Sequence, residues 1–308
     1  MAMIEVVSPG LLTTVQDLGR PGWGHLGVTP AGAADPVALR LGNRLVGNAE
    51  GAAALELTLT GGRFRFPDGA VAALAGAEFE GAPMWTTLEL GAGRTLGVGA
   101  ARSGARCYLC VRGGIRVPLW LGSASTQLAC ELGGYHGRRL RRGDVLEIGA
   151  AEGAWWRRTL SRRAREYFAP SKTLRVTAGP EWERFSEASR AALAGGVWRV
   201  TEDSDRSGLR LHGPPLETRG FERMITEGVD LGSVQVPPAG QPIILFVDQQ
   251  TTGGYPRIAV VASVDLFRVG QLRPGDQIRF TRVSLEQAVE LAREQARRLA
   301  DEEFLFGE

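Results

Sequence analysis

The 308-residue chain contains a single lysine, Lys172, among 36 basic residues; arginine supplies the others. A P-loop places glycine directly before its lysine, and Ser171-Lys172-Thr173 has none, so a Walker-type nucleotide site is excluded. The same scarcity argues against a Schiff-base lysine and against a biotinylated lysine in its usual Met-Lys setting. Cysteine is almost as rare. Three cysteines, an odd number in a long chain, do not make a disulfide framework and fit a reducing compartment. No apolar run reaches the 18 residues that would predict a membrane-spanning helix, and Met1-Ala2-Met3-Ile4-Glu5 has neither a basic nor an apolar signal region, so a cytoplasmic protein is expected. The net charge of +2 gives no basic surplus to attract nucleic acid. The three histidines, His25, His136 and His212, have no metal-site spacing, and Cys107-Tyr108-Leu109-Cys110 lies in a strand-like run where residues three apart face opposite sides. No metal site is expected, and two packed core thiols are. Aromatic content of 7% leaves no evident stacking platform for a carbohydrate.

What the sequence does contain is many short apolar runs punctuated by glycine: Ala54–Phe66, Ala70–Phe79, Cys107–Val111 and Ile115–Leu121 among them. That punctuation predicts barrels or sandwiches, not a doubly wound parallel sheet. Arg142-Gly143-Asp144-Val145-Leu146-Glu147-Ile148 and Pro274-Gly275-Asp276-Gln277-Ile278-Arg279-Phe280 share a phrase, a Gly-Asp turn opening an alternating strand, which suggests two related halves. The predicted domains are residues 1–152 and 170–283, followed by a C-terminal helix over 284–308. The basic, aromatic stretch Trp155–Arg165 between the halves reads as a linker or docking surface. Three helices are expected. The first has Asp35 as N-cap and Pro36 at its first position and runs to about Val46; the second spans roughly Glu181–Leu193; the third opens with a capping box, Ser284 and Gln287. Gly22-Trp23-Gly24-His25-Leu26-Gly27 fits G-x-G-x-x-G but lacks the strand and helix that a dinucleotide site needs.

The densest chemistry is Asp248-Gln249-Gln250-Thr251-Thr252-Gly253-Gly254-Tyr255-Pro256, delivered by the apolar run Pro242–Val247 and followed by Ile258–Ala262. A Gly-Gly pair allows close backbone approach to a ligand and can aim N–H groups at an anion. Thr13-Thr14-Val15-Gln16-Asp17-Leu18-Gly19-Arg20 and Asp203-Ser204-Asp205-Arg206-Ser207-Gly208 are further polar clusters at glycine turns. Each alone fits an ordinary Asx turn; together they suggest a polar cleft. His25 and His136 sit in Gly-rich loops from which either side chain can reach a pocket.

Thr13–Arg20, Gly32-Ala33-Ala34-Asp35, Leu45-Val46-Gly47-Asn48, Leu55-Glu56-Leu57-Thr58, Val111-Arg112-Gly113-Gly114-Ile115, Leu121-Gly122-Ser123, Gly133-Gly134 through Gly137-Arg138, Ser204–Leu211, Asp248–Pro256 and Gln271–Asp276 occur in an order that resembles a known family. It is the family of the C-type subunits of 5-oxoprolinase (KipA-like, allophanate hydrolase subunit 2), related to the carboxyltransferase domain of urea carboxylase. The resemblance covers roughly residues 4–283. Gly42 and Ala34 depart from it, standing where alanine and methionine are common, and neither change removes a polar group.

The resemblance implies a mainly β fold of two cyclophilin-like β-barrels. It also implies an ATP-dependent cyclic amide hydrolase, opening 5-oxoproline to L-glutamate only with two partners, a KipI-like B-type subunit and the A-type subunit of 5-oxoprolinase, and ATP bound by the complex. It leaves two other readings: a carboxyltransferase-type component acting on urea or a related amide with biotin on another chain, and a regulatory protein that binds a KipI-like kinase inhibitor. On the first reading Asp17 and Asp248 are candidates for acid–base work or water orientation. Gly253 and Gly254 with Thr251, Thr252 and Arg20 or Arg206 are candidates for an anion clamp. Gln16, Gln250, Tyr255 and His25 are candidate substrate contacts.

Overall fold

The computed structural model describes residues 2–151, 153–218 and 224–307. The chain forms two compact units: Met1–Arg20, Ala31–Ala169 and Glu302–Glu308 make the first, and Pro21–Pro30 and Pro170–Asp301 the second.

The strands of the first unit are β1 (Met3–Ser8), β2 (Leu12–Gln16), β3 (Ala54–Thr58), β4 (Arg63–Phe66), β5 (Ala70–Gly76), β6 (Thr87–Leu90), β7 (Arg94–Gly97), β8 (Arg106–Val111), β9 (Ile115–Arg116) and β10 (Val145–Ile148). They form two antiparallel sheets, ordered β7-β4-β1-β10-β9 and β2-β3-β8-β5-β6. Side chains alternate across a strand, and here both faces of the second sheet are used. Leu55, Leu57, Leu74, Cys107 and Leu109 meet Ile4, Val6, Phe64 and Phe66 of the first sheet in one core. On the opposite face, Ala54, Ala73, Tyr108 and Cys110 pack under Leu39 and Leu45 of helix α1 (Pro36–Leu45). The start of α1 is the expected one, with Pro36 in first position and the Asp35 carboxylate accepting from Ala38 N at 2.8 Å. Gly42 has a packing reason: a Cβ there would stand 2.7 Å from Cys110 Sγ and 3.0 Å from the Ala75 Cβ, so the helix lies on the sheet at backbone distance.

Every residue of β8 is buried, and Cys107 and Cys110 face opposite layers as their spacing predicts. Burial pushes both thiols up, and neither forms a disulfide. Cys130 is exposed. Since the thiolate is the reactive form, an aromatic disulfide reagent should label one thiol per native chain at neutral pH, Cys130, and all three after denaturation. Rapid labelling of Cys107 or Cys110 in the folded chain would contradict this packing.

The basic stretch Trp155–Arg165 belongs to the first unit. It continues into a short helix, α2 (Arg162–Tyr167), capped by Ser161, whose hydroxyl also donates to Phe304 O at 2.7 Å. Arg157 and Arg158 pair with Glu89 and Glu302 at 2.6 and 3.3 Å.

The second unit holds β11 (Thr173–Ala178), β12 (Trp198–Val200), β13 (Gly208–His212), β14 (Glu227–Gly228), β15 (Ser233–Gln235), β16 (Ile243–Leu245), β17 (Thr252–Gly253), β18 (Arg257–Val261) and β19 (Gln277–Arg282). Seven of them close a barrel in the order β11-β18-β15-β16-β13-β12-β19, sealed by the parallel pairing of β11 with β19. β14 and β17 form a separate two-stranded ladder. The expected helix over Glu181–Leu193 is two elements, a 3-10 turn (Trp182–Arg184) and α3 (Glu187–Gly195). Ser186 divides them: its side chain accepts from Ser189 N and caps α3, while Phe185 before it is extended and buried. After the short α4 (Leu266–Val269), α5 (Leu285–Ala300) shows both halves of the predicted capping box. No described helix is long and apolar enough to cross a membrane.

The fold is thus mainly β, with a closed barrel in the second unit and two facing sheets in the first. The shared Gly-Asp phrase is a shared turn. Gly143 and Gly275 adopt φ of 89° and 88°, a region open to glycine. Asp144 accepts from Arg141 N at 2.7 Å, and Asp276 from Arg273 N at 2.9 Å.

Candidate functional site

In the first unit, β2 runs directly into the Asp17 cluster. The Asp17 carboxylate accepts four hydrogen bonds: from Gly19 N at 2.7 Å, Ser123 Oγ at 2.6 Å, Ser125 Oγ at 2.5 Å and Ala124 N at 2.6 Å. Three of these bonds end on Oδ1 and one on Oδ2, so the carboxylate is heavily engaged by the turn it holds. Its partners place the 123–126 turn against β2, where Thr126 N reaches Val15 O at 3.0 Å and Gln16 Nε2 reaches Thr126 O at 3.1 Å. Arg20, 2% exposed, donates to Ser125 O, and its guanidinium carbon lies 5.0 Å from the centre of the Trp120 ring. The three candidates Gln16, Asp17 and Arg20 are therefore buried together around one turn.

That turn supports the wall of a cleft of about 650 Å³ formed by segments 116–120, 131–137 and 145–147. The middle segment is built almost wholly from unusual backbone: Glu131, Gly133, Gly134, His136 and Gly137 all have φ between 53° and 67°. A Cβ on Gly133 would come 2.2 Å from Ser125 O, and one on Gly134 would come 1.9 Å from Thr126 Oγ1. The glycines let this segment lie flat on the turn that Asp17 holds. His136 is thereby placed on the cleft lining, its ring edge-on to Tyr135 at 4.6 Å. Tyr135 is backed by Arg138 at 5.2 Å, which is fixed by a bidentate pair with Asp144 at 2.7 and 2.9 Å. The Arg138 hydrogen bonds hold the Asp144 carboxyl below its ordinary range against the opposing effect of burial.

In the second unit, Asp248 ends the apolar run and pairs with Arg206, Nε to Oδ2 at 2.8 Å and Nη2 to Oδ1 at 3.3 Å, both side chains under 10% exposed. The loop beyond is less open than its glycines suggest. Thr252 and Gly253 pair with Gly228 and Glu227 in the β14–β17 ladder, and neither Gly253 nor Gly254 has positive φ. A Cβ on Gly253 would lie 2.5 Å from Gln235 Nε2, so any larger residue there would have to displace the Gln235 amide. Gln250 reaches Gln235 Oε1 at 3.4 Å; Thr252 and Tyr255 are exposed. Thr251 contributes its carbonyl to Val229 N at 3.1 Å. His25 occupies a single 3-10 turn, Gly24–Leu26, and is exposed, with Nδ1 3.1 Å from Gly22 O.

Four buried groups received no role from the sequence: Arg257, Gln235, Gln249 and Glu56. Arg257 forks onto Glu181 at 2.9 Å through both Nε and Nη2 and also meets Glu227 at 2.6 Å, so it ties the β14–β17 ladder to the barrel. Burial alone would raise the Glu181 carboxyl; the Arg257 bonds outweigh it and leave the carboxyl lowered. Gln235 and Gln249 are 1% and 4% exposed, and among the described residues Gln235 Nε2 and Gln249 Oε1 have no hydrogen-bond partner. In the first unit, Glu56, 1% exposed, accepts from Ala34 N at 2.9 Å and Tyr108 Oη at 2.7 Å. A charge inside the apolar alternation Ala54-Leu55-Glu56-Leu57 was the available signal for Glu56. Nothing local marked Gln235.

The profile of the carboxyltransferase domain, subdomain A and B, matches residues 26–282. The chain belongs to the carboxyltransferase-domain family. Within the family it is similar to the C-type subunit of 5-oxoprolinase from Escherichia coli K12, 38% identical over 96% of each protein, and to its Haemophilus influenzae counterpart, 37% identical over 97% of this chain and 99% of the relative. It is also similar to the urea amidolyase of Lachancea kluyveri, 36% identical over 94% of this chain but 17% of the relative. The crystal structure of the K. lactis urea amidolyase superimposes with a TM-score of 0.90 at 32% identity, covering 96% of this chain and 20% of that one. The carboxyltransferase-family chain thus spans nearly the whole of the oxoprolinase subunits and a fifth or less of the urea amidolyases.

Proposed function

We propose that this chain is the C-type subunit of an ATP-dependent 5-oxoprolinase, acting with a KipI-like B-type subunit and an A-type subunit to hydrolyse the lactam of 5-oxo-L-proline to L-glutamate. The observation that carries the reading is similarity end to end with two proteins that bear the name of that 5-oxoprolinase component, with almost no chain left over on either side. A five-membered lactam is an unactivated amide, and consuming ATP as co-substrate to phosphorylate its oxygen makes the carbonyl carbon a better target for water. The chain lacks a P-loop, which fits ATP held in a different kind of site or on a partner. On this reading Asp17 positions the 123–126 turn, and Asp248 with Arg206 is the charged pair at the entrance to the Gln249–Tyr255 loop. In this reading the complex works in the cytoplasm.

The test is release of ADP and glutamate from ATP and 5-oxoproline, first with this chain alone and then with both of its partner subunits. Turnover confined to the full mixture is the expected result. An assembled complex without turnover overturns the reading. The family description and the urea amidolyase superposition then favour a second one, carboxyl transfer to urea or a related amide with biotin supplied by another chain.

A further inference from the structure

We propose that the cleft of the first unit is the subsite for the cyclic amide acid, with Arg116 binding its carboxylate and His136 carrying the proton that opens the ring. The inference rests on the 5-oxoprolinase reading and assigns it a place and two residues outside the polar loops.

Three observations converge. First, the cleft of about 650 Å³ is large enough for a small molecule, and Trp120, Tyr135 and Leu132 give it apolar surface for a saturated ring. Second, Arg116 and Glu147 are directly paired residues of β9 and β10 and both line the cleft. Arg116 makes no ion pair among the described residues, and it offers a fork that fits a carboxylate. Glu131 and Glu147 supply acceptors for a ring N–H. Third, the loop commits its backbone to the placement of one imidazole. His136 holds φ of 55°, a left-handed conformation that side chains other than glycine rarely adopt, and its neighbours Gly133, Gly134 and Gly137 leave no room for a Cβ. A Cβ on Gly137 would stand 1.9 Å from Glu131 O. Yet the side chain is not packed away: His136 is exposed and touches Tyr135 only edge-on. Such backbone strain at an accessible titratable group fits a working residue better than a structural one.

ATP first places its terminal phosphoryl group on the lactam oxygen, the ring nitrogen keeps its proton, and ADP leaves. A water oxygen then bonds to the carbonyl carbon and gives one proton to neutral His136. The carbon–nitrogen bond breaks with its electron pair going to nitrogen, and the imidazolium returns the proton to that nitrogen. The hydroxyl left by the water loses its proton to solvent as its oxygen becomes the new carbonyl. The product is an acyl phosphate carrying the freed amine. A second water releases phosphate and glutamate.

The experiment uses the assembled three-subunit complex with 5-oxoproline as the varied substrate. Arg116→Gln should raise KM about tenfold or more with kcat within about threefold, the signature of a lost charge-assisted contact to the bound substrate. His136→Asn should lower kcat about a hundredfold or more with little change in KM. Asparagine accepts positive φ, so this variant keeps the loop while removing the imidazole. Wild-type kinetics in either variant overturns the proposal and leaves the 5-oxoprolinase reading standing. A wild-type complex that assembles but does not turn over defeats the functional reading itself, and the assignment of the cleft with it.

Discussion

An Asp17→Ala chain should lose about 3–5 kcal/mol of stability, since each buried donor left without its acceptor costs about 1–3 kcal/mol. Four donors converge on that carboxylate, and the substitution strands two buried hydroxyls, one buried backbone N–H and one that is partly buried. Ser125 shows how closed the network is: it donates to Asp17 Oδ1 and accepts from Asp17 N at 3.0 Å. Without the carboxylate, the 123–126 turn loses its hold on β2, and the glycine segment lying on that turn loses its support. The loss corresponds to a fall in melting temperature on the order of 10 °C for a unit of this size. Asp17→Asn should fall between the two, because it keeps one acceptor oxygen but points an NH2 at groups that also donate. Melting of the three proteins by circular dichroism decides it. An Asp17→Ala chain that melts within about 2 °C of wild type would show that the turn is held by something other than this carboxylate.

The strands and their punctuation were legible because both obey short-range rules. Alternation in β10 and β19 and the opposed cysteines of β8 follow from the two-residue period of a strand, and Asp35-Pro36 and Ser284–Gln287 announce helix starts through their own side chains. The helix expected at Glu181–Leu193 failed for an equally local reason, a serine that caps better than it propagates. The polar clusters were visible as clusters, but not as partnerships. Asp17 meets Ser123 and Ser125 across more than a hundred residues, and Arg206 meets Asp248 across 42. Sequence shows which groups are available; only the fold shows which are already engaged. The same limit explains Gly253. A Gly-Gly pair suggests an open, anion-binding backbone, whereas Gly253 is paired with Glu227 and faces a side chain 18 positions earlier, Gln235. His136 illustrates the reverse. Its Gly-rich surroundings were plain in the sequence, but the five positive φ angles that orient the loop depend on the Ser125–Thr126 turn beneath it.

Asp248→Asn should cut turnover of the assembled complex about a hundredfold or more, and it should do so beyond any effect on folding. The distinction matters because Asp248 has a structural duty as well. It forms a two-point pair with Arg206, and its backbone N–H donates to Arg206 O at 2.9 Å, so the two residues define the exit from β16. Removing the charge from one member of a buried pair commonly costs about 3–5 kcal/mol, enough to lower activity simply by lowering the folded fraction. Two measurements separate the contributions. The first is kcat per assembled complex, with assembly quantified by size-exclusion chromatography. The second uses the paired replacement Arg206→Met with Asp248→Leu, which removes both charges together and should recover most of the lost stability, since apolar residues of similar size often replace a buried pair at little cost. If Asp248 acts on substrate or on the attacking water, the paired variant folds and assembles but stays inactive. If the pair only shapes the loop, the paired variant regains turnover along with stability, and Asp248→Asn itself retains near-normal kcat per assembled complex. That second outcome would remove Asp248 from the chemistry and make it the anchor of the Gln249–Tyr255 loop, as Asp17 is the anchor of the 123–126 turn.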